Sequence, residues 1–553
     1  MPDTVLERQY AGPFTLAGGL RQNVDAIDLK PNEASYSLNW QHRAGKLSPR
    51  TVLRTLSGFT SVTNRTAPFN GAGYFEFDNG NRYVAAVNHV SGTGRIWVGS
   101  GGTWSKISTD ADMTAGGTSN PWDICFGVDT AMGAHGTAFF ANGANEVMFW
   151  DATNCHKLSS STGYVGPGGP YVAKYCCIFE GRLVLANMIE SGTTHILRAR
   201  VSKVNNFNAF DTTDGAQVVD HGDTPGAITG VKVMGNRLLV LKEDSIVVGQ
   251  STQDATTPIV YPLRINTGCL IGSSFQNITP WLGVFLGPDN VYVLTQGDVK
   301  PVGDPIKTDL FSRLDYSRLN EVCSHTERAK GLYRLFIPPK NESGTYAYVY
   351  NFIDQLWFME YWSTGVWGAT NTAGLDGTLI SALGSALSTY TVPISSWGSN
   401  VGETIPVLSS AYSSSDYRLN SLSEFAYDEA NSGYISISPE WRSKAVSLNE
   451  EGYATLTGIV LEYRSANAFL LTVGVSTDRG MTWDDAVLSV SASDAGGTGV
   501  SSVRVNFRTT GRLHMLRLKA DPIKIRTTDP SIITFPVELL NVRLSFLKRF
   551  AER

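Results

Sequence analysis

Along nearly the whole chain, apolar and polar residues alternate in short runs, and clusters of Gly, Asn, Asp and Pro separate one run from the next. A period of two places alternate side chains on opposite faces, which is the pattern of a half-buried strand. The run FDNGNRYVAAVNHV (77–90) joins two strands through Asp78-Asn79-Gly80, a hairpin signal because a tight type I′ turn needs positive φ. Comparable pieces follow at 136–150 (GTAFFANGANEVMFW), 179–188, 234–249, 281–296, and 330–339 with its partner 344–362. A weaker copy is LDGTLISALGSALSTYTV at 375–392.

Matching positions in these units recur roughly every 45–55 residues, the spacing of four-stranded propeller blades. The pattern predicts about six blades over residues 66–400, with seven allowed, after an N-terminal arm and first strands at 1–65. Aromatic residues such as Trp97, Trp104, Phe149, Trp150 and Trp357 are expected to pack between blades. Residues 401–433 are polar and Ser-rich and read as a connecting segment. From 434 to 553 alternation strengthens again, predicting roughly seven or eight strands of a C-terminal β-sandwich. A short helical turn is expected near Asp309–Arg318. The fold class is therefore all-β, a β-propeller followed by a β-sandwich.

Composition agrees with this picture: 55 of the 553 residues are Gly and 42% are hydrophobic, which suits a packed chain with many turns. The formal net charge is −5 and no block of basic residues stands out, so a sequence-wide attraction to nucleic acid is not expected. Cys125, Cys155, Cys176, Cys177, Cys269 and Cys323 form no C-x-x-C pair and read as buried free thiols. The N-terminus MPDTVLERQY lacks a signal-peptide pattern, and no apolar run approaches the ~18 residues of a membrane helix. The expectation is a protein folded in a reducing cytosol.

The sharpest local motif is Ser476-x-Asp478-x-Gly480-x-x-Trp483. Its spacing resembles the Asp box of sialidases, where such hairpins recur once per blade away from the reacting groups. Here it stands once, in the predicted sandwich, and reads as a turn closed by Asp478 and Gly480 and covered by Trp483. Carboxylates that could serve as glycosidase pairs include Glu146, Asp151, Glu180, Glu243 and Asp244, each in a hairpin context. Asp211, Asp214, Asp220 and Asp223 lie close enough to suggest a calcium loop, but the spacing is not that of an EF-hand. The histidines at 42, 89, 135, 156, 195, 221, 325 and 514 are scattered, and Cys155-His156 lacks the second half of a zinc site. No hydrolase, zinc-protease or phosphate-loop motif is present. No catalytic, cofactor-binding or metal-binding residue is assigned, and the chain is not expected to be an enzyme.

Two regions resemble one family. Near the N-terminus stand Gly18-Gly19-Leu20, Leu29-x-Pro31-x-Glu33-Ala34, Leu38-Asn39 and the stretch from Gly45-Lys46 to Arg50. Near the C-terminus stand Trp441-x-Ser443-Lys444, the Asp478-x-Gly480-x-x-Trp483 hairpin and Gly511-Arg512 with Arg517-Leu518. Together these resemble the tail hub, or nozzle, proteins of short-tailed (podovirus-like) bacteriophages. The resemblance implies a virion structural subunit in a homo-oligomeric ring, a hexamer, below the portal and adaptor. It also implies docking to other tail proteins, tail fibres among them, and passage of double-stranded DNA without sequence recognition. The channel is then expected to be acidic or polar, without a continuous basic stripe. The run Trp357-Phe358-Met359-Glu360-Tyr361-Trp362 offers either interface anchors or an outer blade strand stacked on a neighbour. The alternative is a carbohydrate-binding or sialidase-like β-propeller acting on host surface glycans.

Overall fold

The computed structural model describes residues 8–373, 404–521 and 537–549, apart from positions 57, 101, 130–131, 213–214, 253, 255–256, 414, 424–426, 431–432, 450–451, 466–468 and 491–496. The unit at 375–392 lies outside the described residues. Alternation becomes antiparallel sheet almost everywhere. Six consecutive blades carry four strands each, with inner strands Phe69–Glu76, Asp123–Gly127, Val172–Phe179, Ile228–Met234, Gln276–Thr279 and Cys323–Glu327. The hairpin forms at Asp78-Asn79-Gly80, where the Gly80 N–H donates to Phe77 O at 2.9 Å, but it is not the type I′ turn expected: Gly80 has φ 82°, while Asp78 and Asn79, the central pair, do not take positive φ.

A seventh blade closes the ring. Its strands are Gly368–Ala373, Thr404–Ser413 and Asp416–Ser423, and its outermost strand is Val52–Thr55 from the N-terminal region, paired antiparallel through Arg54 and Ser421. Residues 404–423, read from sequence as connection, are thus blade strands. Their Ser-rich composition hides them because small hydroxyls serve on a strand whose ladder supplies the hydrogen bonds. Inner strand Gly368–Ala373 packs on Phe69–Glu76, so the first and last blades meet. The short helix Lys307–Arg313 and the 3-10 turn Tyr316–Glu321 lead into the sixth blade.

Among the described residues, most buried apolar side chains fall into eight clusters, one between each pair of neighbouring blades and one in the sandwich. Trp97 and Trp104 fill the junction of blades seven and one, Trp150 that of one and two, Phe149 that of two and three, and Trp357 that of five and six. Each fully buried ring or branched chain stabilises the ring by about 1.5–3 kcal/mol. That repeated inter-blade seam explains the repeated aromatic in the sequence.

The sandwich is built from both ends of the chain. One sheet combines Tyr453–Ser465, Gly497–Gly511 and Val537–Arg549 with Arg8–Thr15, Trp40–Arg43 and Lys46–Pro49. The facing sheet combines Ala34–Leu38, Glu440–Ser443, Met515–Asp521, Phe469–Ser476 and Asp484–Val490, and runs on into the sixth blade. The joining contact is a parallel bridge of Leu38 with Met359 on the outer blade strand Leu356–Trp362. Propeller and sandwich therefore share one nine-stranded sheet.

Candidate assembly surface at the junction of propeller and sandwich

The N-terminal and C-terminal motifs meet. Strand Ala34–Leu38 pairs with Glu440–Ser443, placing Ser37 opposite Trp441 and Tyr36 opposite Arg442. Lys444 Nζ reaches back to Leu29 O at 2.7 Å, and Ser443 Oγ accepts from the Leu516 N–H at 2.9 Å. Gly19 holds φ +85°, and a Cβ there would lie 2.8 Å from that of Leu356, so the loop can press against the blade only as glycine. That approach lets the Leu20 N–H donate to Trp357 O at 2.7 Å while the Leu20 side chain enters the core between blades five and six.

Asn39 is the pivot of the joint. It adopts φ 59°, and its Oδ1 accepts from the Tyr361 N–H (2.8 Å) and from Arg50 Nε (3.2 Å). Arg50 in turn stacks on Trp362, 3.8 Å from the ring centroid. Beneath this, buried Arg334 bridges Glu327 (2.8 Å) and Glu360 (3.1 Å), and Gln41 donates to Glu360 at 2.9 Å. Burial alone would raise the Glu327 carboxyl, but Arg334 and Lys330 outweigh it and hold the group at about 2. His42 is fully buried, held by Ser37 at 2.7 Å, and burial pushes it down to about 3.

The aromatic run 357–362 belongs to this joint. Trp357, Phe358, Met359, Glu360 and Trp362 are buried within the chain, and only Tyr361 is half-buried. Tyr361 starts a row of partly exposed groups: Tyr361 lies 4.9 Å from Tyr346, Arg313 stacks on Tyr346 at 4.7 Å, and Arg442 on Tyr36 at 4.8 Å. Beyond them Trp483 lies between Arg442 (5.7 Å) and Arg517 (4.7 Å).

Trp483 ends the hairpin of the Asp-box spacing. Asp478 Oδ1 accepts from the Thr482 N–H (2.9 Å) and Ser476 Oγ (2.7 Å), while Ser476 Oγ accepts from the Gly480 N–H (2.8 Å). These bonds, those from Thr482 foremost, hold the Asp478 carboxyl at about 2. Gly480 takes φ +87°, and Trp483 Nε1 donates to its carbonyl at 3.1 Å. Every group of the motif is engaged in shaping the turn.

The other candidate acids also hold backbone. Glu146 accepts from the Ser159 N–H, Asp151 from Thr153 and Asn154, Glu243 from Ala227, and Asp244 from Gly226. Glu180 sits at φ 47° in a hairpin tip. Asp211 pairs with Lys203, Asp220 with Arg198 and Asp223 with Arg264, so these acids face separate cations, and Asp214 lies outside the described residues. Among the described residues no group of three His, Cys, Asp or Glu side chains is placed to hold a metal ion. The six cysteines are unpaired as disulfides, five of them buried and Cys125 half-buried. Sequence reading missed the Arg334–Glu327–Glu360 cluster, whose members reveal themselves only once three strands align. No helix among the described residues is long and apolar enough to cross a membrane.

No family model and no curated protein matches the chain. Among solved structures, the exo-β-1,3-galactanase of Phanerochaete chrysosporium with galactose is similar at 8% identity and TM-score 0.24, covering 89% of this chain and 99% of its own. The carbohydrate module TmCBM61 with β-1,4-galactotriose is similar at 9% identity and TM-score 0.15, covering 27% and 72%. A quinoprotein alcohol dehydrogenase-like protein of Bacteroides thetaiotaomicron is similar at 11% identity and TM-score 0.31, covering 53% and 65%. At such scores these likenesses carry no function to this chain, and the seven-bladed propeller with its sandwich stands on strand pairing alone.

Proposed function

We propose that the chain is a structural subunit of a short bacteriophage tail, a nozzle or hub protein forming a ring of six that conducts double-stranded DNA and docks neighbouring tail proteins. The observation that carries this reading is the pairing of strand Ala34–Leu38 with Glu440–Ser443. The two sequence regions that resemble the tail family are one physical unit, the clamp that fixes the sandwich to blade six. A rigid joint of this kind suits a part that transmits load without turnover, and Glu146, Asp151, Glu243, Asp244, Asp211, Asp220 and Asp223 are occupied in turns and ion pairs. The DNA is contacted as a charged rod and not read by base. Mass spectrometry and cryo-electron microscopy of purified virions test the proposal. The expected result is the chain in the tail as a six-fold ring below the adaptor, and its absence from purified virions would falsify the reading.

The row Tyr361, Tyr346, Tyr36 and Trp483 favours a second reading, a carbohydrate-binding propeller on host surface glycans. Partly exposed rings beside guanidinium donors combine apolar surface with hydrogen-bond donors, a mixture that suits a sugar. Glycan-array binding lost in Tyr36→Ala and Tyr346→Ala would support it. Release of reducing ends from host glycans would identify a hydrolase.

A further inference from the structure

The outward face of the sandwich sheet built on Tyr453–Ser465 carries a concentration of positive charge that the sequence conceals. Pairing aligns Arg504 with Val460 and Val460 with Arg543, and sets Arg8 opposite Leu547 on the far side of the same sheet. Arg464 and Lys46 complete the row at the end held by Glu538, and Arg508 stands exposed on the edge strand. Against these six cations the face presents two carboxylates among the described residues. Glu462 is engaged by Arg543 at 3.0 Å, and Glu538 lies between Lys46 (3.0 Å) and Arg464 (3.7 Å). Arg8 and Arg508 have no carboxylate partner among the described residues.

The floor of this face is low. Arg504 passes over Gly458, where a Cβ would stand 2.9 Å from the guanidinium, and donates to Ser545 Oγ at 3.0 Å. Tyr10, opposite Ser545 and 63% exposed, rises beside it. An exposed aromatic among arginines over a flat floor is the composition of an interface core more than of a solvated sheet face.

The charge of the whole chain says what fits. Residues 434–553 hold 15 Lys and Arg against 12 Asp and Glu, whereas residues 50–433 hold 25 against 33. The chain is thus a charge dipole, +3 on the C-terminal region and −8 on the propeller. A second copy of the chain meets complementary charge when its propeller approaches. We infer that the outward sandwich face, with Arg504, Arg508, Arg8 and Tyr10, is a subunit interface that receives the acidic propeller surface of the next copy, head to tail. Such a heterologous contact closes into a ring when its rotation allows, and in this respect the inference rests on the ring proposed above. It also places the basic face between subunits and leaves the channel to other surfaces.

The test uses the full chain in two isotopic forms, mixed at low ionic strength and joined with a carbodiimide, which couples lysine amines to carboxylates in direct contact. Intermolecular products from Lys46 to carboxylates within residues 50–433 are expected, and sedimentation should show self-association that weakens as salt rises, since charge pairs at an interface rim are screened. Arg8→Glu with Arg508→Glu, two exposed positions, should weaken association about tenfold or more with unchanged thermal unfolding, and the Lys pair should restore it. Unchanged association in the Glu pair, intermolecular products confined to other surfaces, or a wild-type chain that stays monomeric at low salt while binding duplex DNA would each overturn the inference. Virions whose subunits cross-link through another face overturn this interface and leave the tail reading standing. Absence from virions overturns the tail reading, while the low-salt association still decides the interface.

Discussion

The Arg517 guanidinium stacks on the ring of Trp483, 4.7 Å from its centroid, and also binds Asp485, two strands away across Gly474. The contact ties the Asp-box-like hairpin to the strand that carries Arg517-Leu518, so two family-like motifs act as one clasp. Trp483→Ala removes a half-buried ring and its contacts with Arg517 and Arg442, and it should cost the sandwich about 2 kcal/mol. Denaturant unfolding checks this. Met481, fully out in solvent at 86% exposure, is the control position, and Met481→Ala should change stability by less than about 0.5 kcal/mol.

Asn39 should be the most exacting position of the joint. Asn39→Gly keeps the positive φ but loses both bonds to Oδ1, whereas Asn39→Ala loses the bonds and adds backbone strain. The losses are expected at about 1–3 kcal/mol for Gly, with Ala about 1 kcal/mol worse. Equal loss in the two variants would show that the left-handed backbone carries no strain here. Differential scanning calorimetry of both variants distinguishes the outcomes.

The ring should depend on residues far from the blades they serve. Leu53 is fully buried in the seam between blades six and seven, on the N-terminal strand that completes blade seven. Leu53→Ala is expected to cost about 2–5 kcal/mol and to expose the 404–423 strands to limited proteolysis first. Cleavage starting instead in another blade would show that ring closure does not govern the weakest seam.

These three positions also mark how far the sequence could be read. The Asp-box-like hairpin is legible because its hydrogen bonds lie within eight residues, and the blade period is legible because buried apolar and aromatic residues such as Phe149, Trp150 and Trp357 recur from seam to seam. The seventh blade is not, since Val52–Thr55 and Asp416–Ser423 pair across about two thirds of the chain and leave no local trace. The same applies to the sandwich, whose strands Arg8–Thr15 and Ala34–Leu38 read locally as an arm. Charge is the least legible of all: Arg504 and Arg543 come to flank Val460, and Arg8 to share their sheet, only through register.

Acid should unfasten the joint at His42. The ring is neutral in the folded chain because burial lowers its pKa from 6.5 to about 3. Between those values the unfolded state binds a proton that the folded state does not, so stability falls as pH drops from 6.5 toward 3. At pH 4.5 the loss from this one group is about 2–3 kcal/mol. Glu327 adds its own loss lower down: its stability is present above the ordinary carboxylate pKa and disappears as pH falls toward its folded value of about 2. His42→Asn keeps a polar group beside Ser37 but cannot titrate, so it should be less stable than wild type at pH 7 and lose less between pH 7 and 4.5. Urea unfolding at the two pH values measures the difference. Parallel curves for wild type and variant would show that His42 is not the group through which acid acts.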